Sequence, residues 1–111
     1  MPYDQTLAER VRAALNPYPG CIEKKMFGGV GFILRGNMVC GVQGKDLIVR
    51  VGVENNTSAL SRPHVRPFMG VPGKPMAGWV LVAPEGVTTN EKLLYWVGLG
   101  YKYASTLPEK R

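Results

Sequence analysis

Histidine and cysteine are scarce in this 111-residue chain, with one copy of the first, His64, and two of the second, Cys21 and Cys40. A single histidine on a loop can serve as a general base, but one with no Asp, Cys or Ser in a recognisable relation to it is more often a surface residue. His64, inside "RPHVRP", therefore reads as a surface residue. The two cysteines have no metal-ligand spacing and sit among apolar neighbours, so they read as small buried hydrophobes. Carboxylates number only eight, and no pair of them is placed for acid–base work. No apolar run approaches the ~20 residues of a membrane helix. The opening "MPYDQTLAER" has neither the apolar centre nor the small-residue cleavage pattern of a signal peptide. The expectation is a cytoplasmic protein with reduced thiols, no enzymatic activity, no metal and no cofactor.

What is present is enough for one domain spanning residues 1–111, the default at this length. Such a domain buries roughly two thirds of the surface its unfolded chain exposes. The net charge is +6 and is unevenly spread. Residues 20–78 carry Lys24, Lys25, Arg35, Lys45, Arg50, Arg62, Arg66 and Lys74 against Glu23, Asp46 and Glu54, a net +5. A basic middle attracts nucleic acid or an acidic partner, although a mildly basic balance also serves solubility alone.

Periodicity divides the chain. Residues 4–16 read as a helix whose stripe is Leu7, Val11 and Leu15, with Ala8 and Ala14 alongside. Asp4 favours its start, and Asn16-Pro17 ends it. Four short apolar runs follow, 21–27, 30–35, 38–43 and 46–51, broken at Gly28-Gly29, Gly36-Asn37 and Gly44-Lys45. They read as antiparallel strands joined by two-residue turns. Residues 53–61 suggest a short helix. Residues 62–78 hold four prolines and read as an ordered loop crossing the sheet, anchored by Phe68 and Met69. Residues 79–83 make a fifth strand. Thr88 and Glu91 form a capping box that opens a helix to about residue 106, with Leu93, Val97, Tyr101 and Ala104 on its stripe. Trp96 and Tyr103 lie off the centre of that stripe and are expected to reach the second face of the sheet. The fold class is α+β: a single, mostly antiparallel five-stranded sheet flanked by N- and C-terminal helices, in the order α-β4-(α)-β-α.

Two-residue turns imply a register, and register sorts side chains onto faces. One face collects Ile33, Met38, Cys40, Val42, Leu47, Val49 and Val51 and is the expected core. The other collects Val30, Phe32, Leu34, Val39 and Ile48, with Arg50. It is too apolar for water, so a helix or a second copy of the chain must cover it. Those five apolar residues are the expected homodimer interface.

"KKMFGG", residues 24–29, has the look of a phosphate-binding loop. A Walker loop needs Gly-Lys-Ser/Thr leading into a helix, whereas these glycines lead into the strand "VGFIL". Lys24 and Lys25 are strand neighbours and point to opposite faces, so they cannot pinch one phosphate.

The stretches "EKKMFGGVGF", "NMVCGV", "LIVRVG", "VRPFM", "GKPMAGWVLVAPEG" and the closing "LP" occur in this order and cover nearly the whole chain. On them the chain resembles the N-terminal domain of the TfoX/Sxy family of competence regulators, as a stand-alone copy. The resemblance implies a sheet flanked by helices, similar to secretion-chaperone-like folds. It also implies a regulatory or binding role in transcription or competence, with no catalytic residues to carry over. Two further readings stand beside a module acting through protein contacts. One is nucleic-acid binding by Lys24, Lys25, Arg35, Arg50, Arg62, Arg66 and Lys74. The other is a small-molecule pocket under the 62–78 loop.

Overall fold

Asp4 accepts a hydrogen bond from the Leu7 N–H at 3.1 Å and starts the first helix, α1, Gln5–Leu15. Its buried residues are Leu7, Ala8, Val11, Ala14 and Leu15, the stripe its spacing defines. In the computed structural model, which describes residues 3–26, 28–71 and 73–109, four strands follow: β1 Cys21–Met26, β2 Gly29–Leu34, β3 Asn37–Gln43 and β4 Asp46–Arg50. The last residue of the expected first strand, 27, lies outside the described residues. A 3-10 turn and a short helix, α2 Asn56–Leu60, lead to β5 Val65–Val71 and β6 Lys74–Val82. The closing helix is α3, Asn90–Ser105. Its N-cap is Thr89, whose hydroxyl accepts from the Lys92 N–H, one residue later than the expected Thr88 box.

Among the described residues the sheet has six antiparallel strands in the order β1-β2-β3-β4-β6-β5, one more than expected. The proline-rich stretch read as a loop is instead an edge hairpin, β5 with the start of β6. Proline lacks a backbone donor and is tolerated at a sheet edge. Here Pro67 pairs with Val80 on the edge strand, and irregularities flank it on the way to Met69 and Val71.

The second correction concerns the faces. The β2–β3 turn is Arg35-Gly36, not Gly36-Asn37, and both residues have positive φ, 49° and 84°. Two positive values suit the twist of a tight hairpin. Pairing then runs Leu34 with Asn37 and Ile33 with Met38, and shifts to Phe32 with Cys40. One extra residue on β3 is absorbed at this bulge. Since side chains alternate with period 2, the slip reverses β2 relative to the body of β3. Val30 and Phe32 therefore share a face with Cys40, Val42, Leu47, Val49, Val80 and Val82. All of these are buried in one core with α1 and α3. Ile33 and Met38 pass to the opposite face.

The expected second-face cluster is thereby dispersed. Val30, Phe32, Leu34 and Val39 lie in the chain's own core and are not available to a second copy; only Ile48, with Arg50, stands on the far face. Trp96, expected to reach that face, is buried in the core instead. Phe32 is 3% exposed and sits with Leu15, Tyr18 and Pro19 at the end of α1. Phe32→Glu should therefore unfold the monomer. Circular dichroism with light scattering checks this: a folded variant with a smaller molecular mass than the wild type would return Phe32 to an interface.

Cys40 is fully buried, and burial pushes its thiol well above the ordinary range, as befits an inert core residue. Cys21 is half-buried and shifted the same way for the same reason. Arg12 on α1 grips Glu23 on β1 through two hydrogen bonds of 2.7 and 2.8 Å and holds that carboxyl below its usual range. Among the described residues no helix is long and apolar enough to cross a membrane.

Candidate functional site: the open face of the sheet

The buried stripes of both long helices pack against one face of the sheet, and the groove on the other face is lined by side chains from the strands. The groove has a volume of about 330 Å³. Ile48 of β4 is buried there, 4% exposed, beneath Met38, Phe68, Met69, Met76 and Trp79. Gln43 is the polar side chain among the described lining residues. Met69 and Met76 are 49% and 38% exposed, which leaves the groove walls open to contact. Phe68 and Trp79 meet with ring centroids 6.1 Å apart. The Met38 side chain folds over Gly41, where a Cβ would come within 2.5 Å of its Cε. Only a residue without a side chain lets Met38 lie flat against the sheet here.

Pairing continues this surface in both directions. Ile22 of β1, 62% exposed, stands opposite Ile33, and Ile33 opposite Met38. A second row runs through all six strands: Lys24, Gly31, Gly41, Ile48, Leu81 and Arg66.

The seven basic candidates are not gathered into one stripe. Lys24 and Lys25 project to opposite faces of β1, and both are exposed. Arg35 donates to the Ser105 carbonyl at 3.2 Å and so caps the C-terminal turn of α3. Arg50 lies 5.0 Å from the centre of the Trp79 ring and 5.5 Å from that of Tyr103. Arg62 stacks on Tyr95 at 4.3 Å and reaches Trp96 at 5.6 Å. Arg66 pairs with Asp46 at 2.7 Å. Lys74 is exposed on the edge hairpin. Lys24, Arg50 and Arg66 share the open face, while Lys25, Arg35 and Arg62 do not meet there.

His64 is exposed and has φ 67°, and its carbonyl accepts from the Ala83 N–H at 2.8 Å. Its pocket is shared with Arg62, Gly86, Lys92 and Tyr95, and no carboxylate lies among its described lining residues. Among the described residues no group of three or more His, Cys, Asp or Glu could hold a metal ion.

The sequence puts Ile48 and Arg50 on one face and singles out Phe68 and Met69, but does not bring the two pairs together. Met38, Met76 and Trp79 were missed as groove residues. The sequence reads Phe68 and Met69 as loop anchors, whereas a strand reading of "VRPFM" places them on the sheet.

Fold and surface together define a small α+β domain with one sheet face under helices and the other bare, grooved and apolar. The chain belongs to the TfoX N-terminal domain family, whose model matches residues 13–104. No curated protein matches it.

Proposed function

We propose that the chain is a non-enzymatic regulatory module that works through protein contacts, and that the open sheet face is the contact surface. One observation carries this reading. An apolar groove walled by Met69 and Met76 stays uncovered after both long helices have packed elsewhere. Methionine is over-used at surfaces that bind proteins, because its flexible, polarisable side chain adapts to varied shapes. The sheet edges are less suited to partners. Lys24 and Lys25 charge the β1 edge, and Pro67 with its flanking irregularities interrupts the other, so addition of a partner strand is disfavoured at both. Membership of the TfoX N-terminal family supports a role in regulating transcription or competence.

A groove of about 330 Å³ is at the low end for small-molecule pockets, which also converge several polar groups on a ligand. With Gln43 alone on the described walls, a protein contact fits better than a small ligand. The aromatic face of Trp79 is already taken by Arg50, which weighs against base stacking there.

Transcript profiling tests the proposal. Cells lacking the chain are compared with cells carrying Met69→Glu/Met76→Glu. The double variant should fold, since both side chains are exposed, and should reproduce the transcript changes of the deletion. A double variant that behaves as wild type would sink the reading, as would a deletion that changes no transcript. Nucleic-acid binding is measured in parallel by fluorescence anisotropy. Use of about five phosphate contacts predicts a loss of roughly two to three decades of affinity between 50 and 200 mM salt.

A further inference from the structure

We infer that the open face takes an amphipathic helix with an apolar stripe and acidic flanks, about 16 residues long. The inference rests on the protein-contact reading and adds the chemistry of the occupant.

Charge selects the partner's sign. The register puts Lys24 at one end and Arg66 at the other end of a row that crosses the whole sheet. Arg50 stands between them beside Trp79. Among the described residues near the groove the carboxylate on this face is Asp46, and its ion pair with Arg66 offsets both charges, which leaves Lys24 and Arg50 as the uncompensated cations. A second copy of the chain would bring these cations against themselves, with few carboxylates to meet them. Like charges across an interface suppress the wrong partner, and opposite ones steer the right one. The face thus disfavours a homodimer and favours an acidic segment.

Shape selects a helix. Between the terminal cations the row is Gly31, Gly41, Ile48 and Leu81. Paired glycines on adjacent central strands put no side chain between the sheet and whatever lies on it, apart from the folded-over Met38. Ile22, Ile33 and Met38 border the row on one side. Six strands at the usual spacing span ~24 Å between the outer two. A helix rising 1.5 Å per residue crosses that distance in about 16 residues. The opposite face of the same sheet already holds a helix of 16 residues, α3. A strand, by contrast, would need a free edge, and both edges are blunted.

The test is a selection on the intact chain from a display library of helical 18-residue peptides with randomised faces. Enriched peptides should be net acidic, with apolar residues at i, i+3 or i+4, and i+7. Binding of a selected peptide should weaken about tenfold or more with Lys24→Glu, with Arg66→Gln and with Met69→Glu/Met76→Glu, a factor worth about 1.4 kcal/mol. It should also weaken with salt for the wild type and less so for Lys24→Glu. Thermal melts confirm that each variant is folded. Enrichment of basic, neutral or extended peptides overturns the inference, as does no enrichment or binding indifferent to the variants. Single-stranded oligonucleotide and a second copy of the chain, followed by light scattering, are the competing arms. Either one occupying the face in a manner sensitive to Met76→Glu also overturns it. If this selection fails while Met69→Glu/Met76→Glu still reproduces the deletion transcripts, the occupant is wrong and the contact surface stands. If acidic helices bind and the transcripts do not change, the regulatory reading falls instead.

Discussion

Val49→Asp should leave no cooperative melting transition, while Met38→Asp should stay folded with a melting temperature lowered by about 5–10 °C. From the sequence, both residues belong to the same core face and both substitutions should abolish folding. The bulge in β3 separates them. Val49 is fully buried, flanked by Cys40 and Val80, which are buried to the same degree. A carboxylate there has no water and no cation. Leaving a buried charge unpaired costs several kcal/mol against a total stability of ~5–15 kcal/mol. Met38 is half-buried on the groove wall, where a carboxylate can turn to solvent. Its substitution forfeits the contacts of a partly exposed methionine, about 1–2 kcal/mol, which for a domain of this size is a shift of several degrees. Circular dichroism melts of the two variants decide it. Complete unfolding of Met38→Asp would show that the pairing shift between Phe32 and Ile33 is not there and that the open face is wrongly assigned.

Gly100→Ala should destabilise the protein by about 2 kcal/mol or more, against the intrinsic preference of a helix. In a helix interior, replacing glycine by alanine gains about 1 kcal/mol on propensity alone. At Gly100 a Cβ would lie 2.4 Å from the carbonyl oxygen of Val39 and 3.3 Å from its Cγ1. Val39 is the extra residue of the bulge and is fully buried, and its neighbours Met38 and Cys40 are held by pairing with β2, so the oxygen has little room to shift. Steric cost wins because backbone, not a side-chain tip, must move. Gly98→Ala is the control on the same helix. Its Cβ would meet only the Tyr18 hydroxyl at 3.4 Å, an ordinary contact, so propensity should prevail and raise the melting temperature by a few degrees. Opposite signs for two identical substitutions two residues apart are the signature of α3 seated on the bulge. If both raise stability, α3 does not approach β3 this closely.

The groove was only partly legible beforehand. Ile48 and Arg50 were placed together on the second face, and there they are. Their companions Val30, Phe32, Leu34 and Val39 were not, because one residue of slip in a hairpin reverses every side chain beyond it. Phe68 and Met69 were recognised as anchors without the sheet they anchor to.

Local rules sufficed where neighbours in sequence are neighbours in space. The stripe of α1, the cap at Asp4, the pairing of Cys40 with Val49 across Gly44-Lys45, and the existence of four strands in 21–51 all follow from periodicity and turn chemistry read along the chain. Tertiary structure decided the rest. A proline-rich run became β5 because β6 offered an edge to pair with, and an edge tolerates a missing donor. β3 took its extra residue at Val39 so that Val39 and Cys40 both enter the core, Val39 touching α3 at Gly100. No residue near Met38 marks that bulge in the sequence, since its stabilisation comes from a helix sixty residues further along the chain. The face left open for a partner was therefore chosen by packing, after the strands themselves had been written in the local pattern.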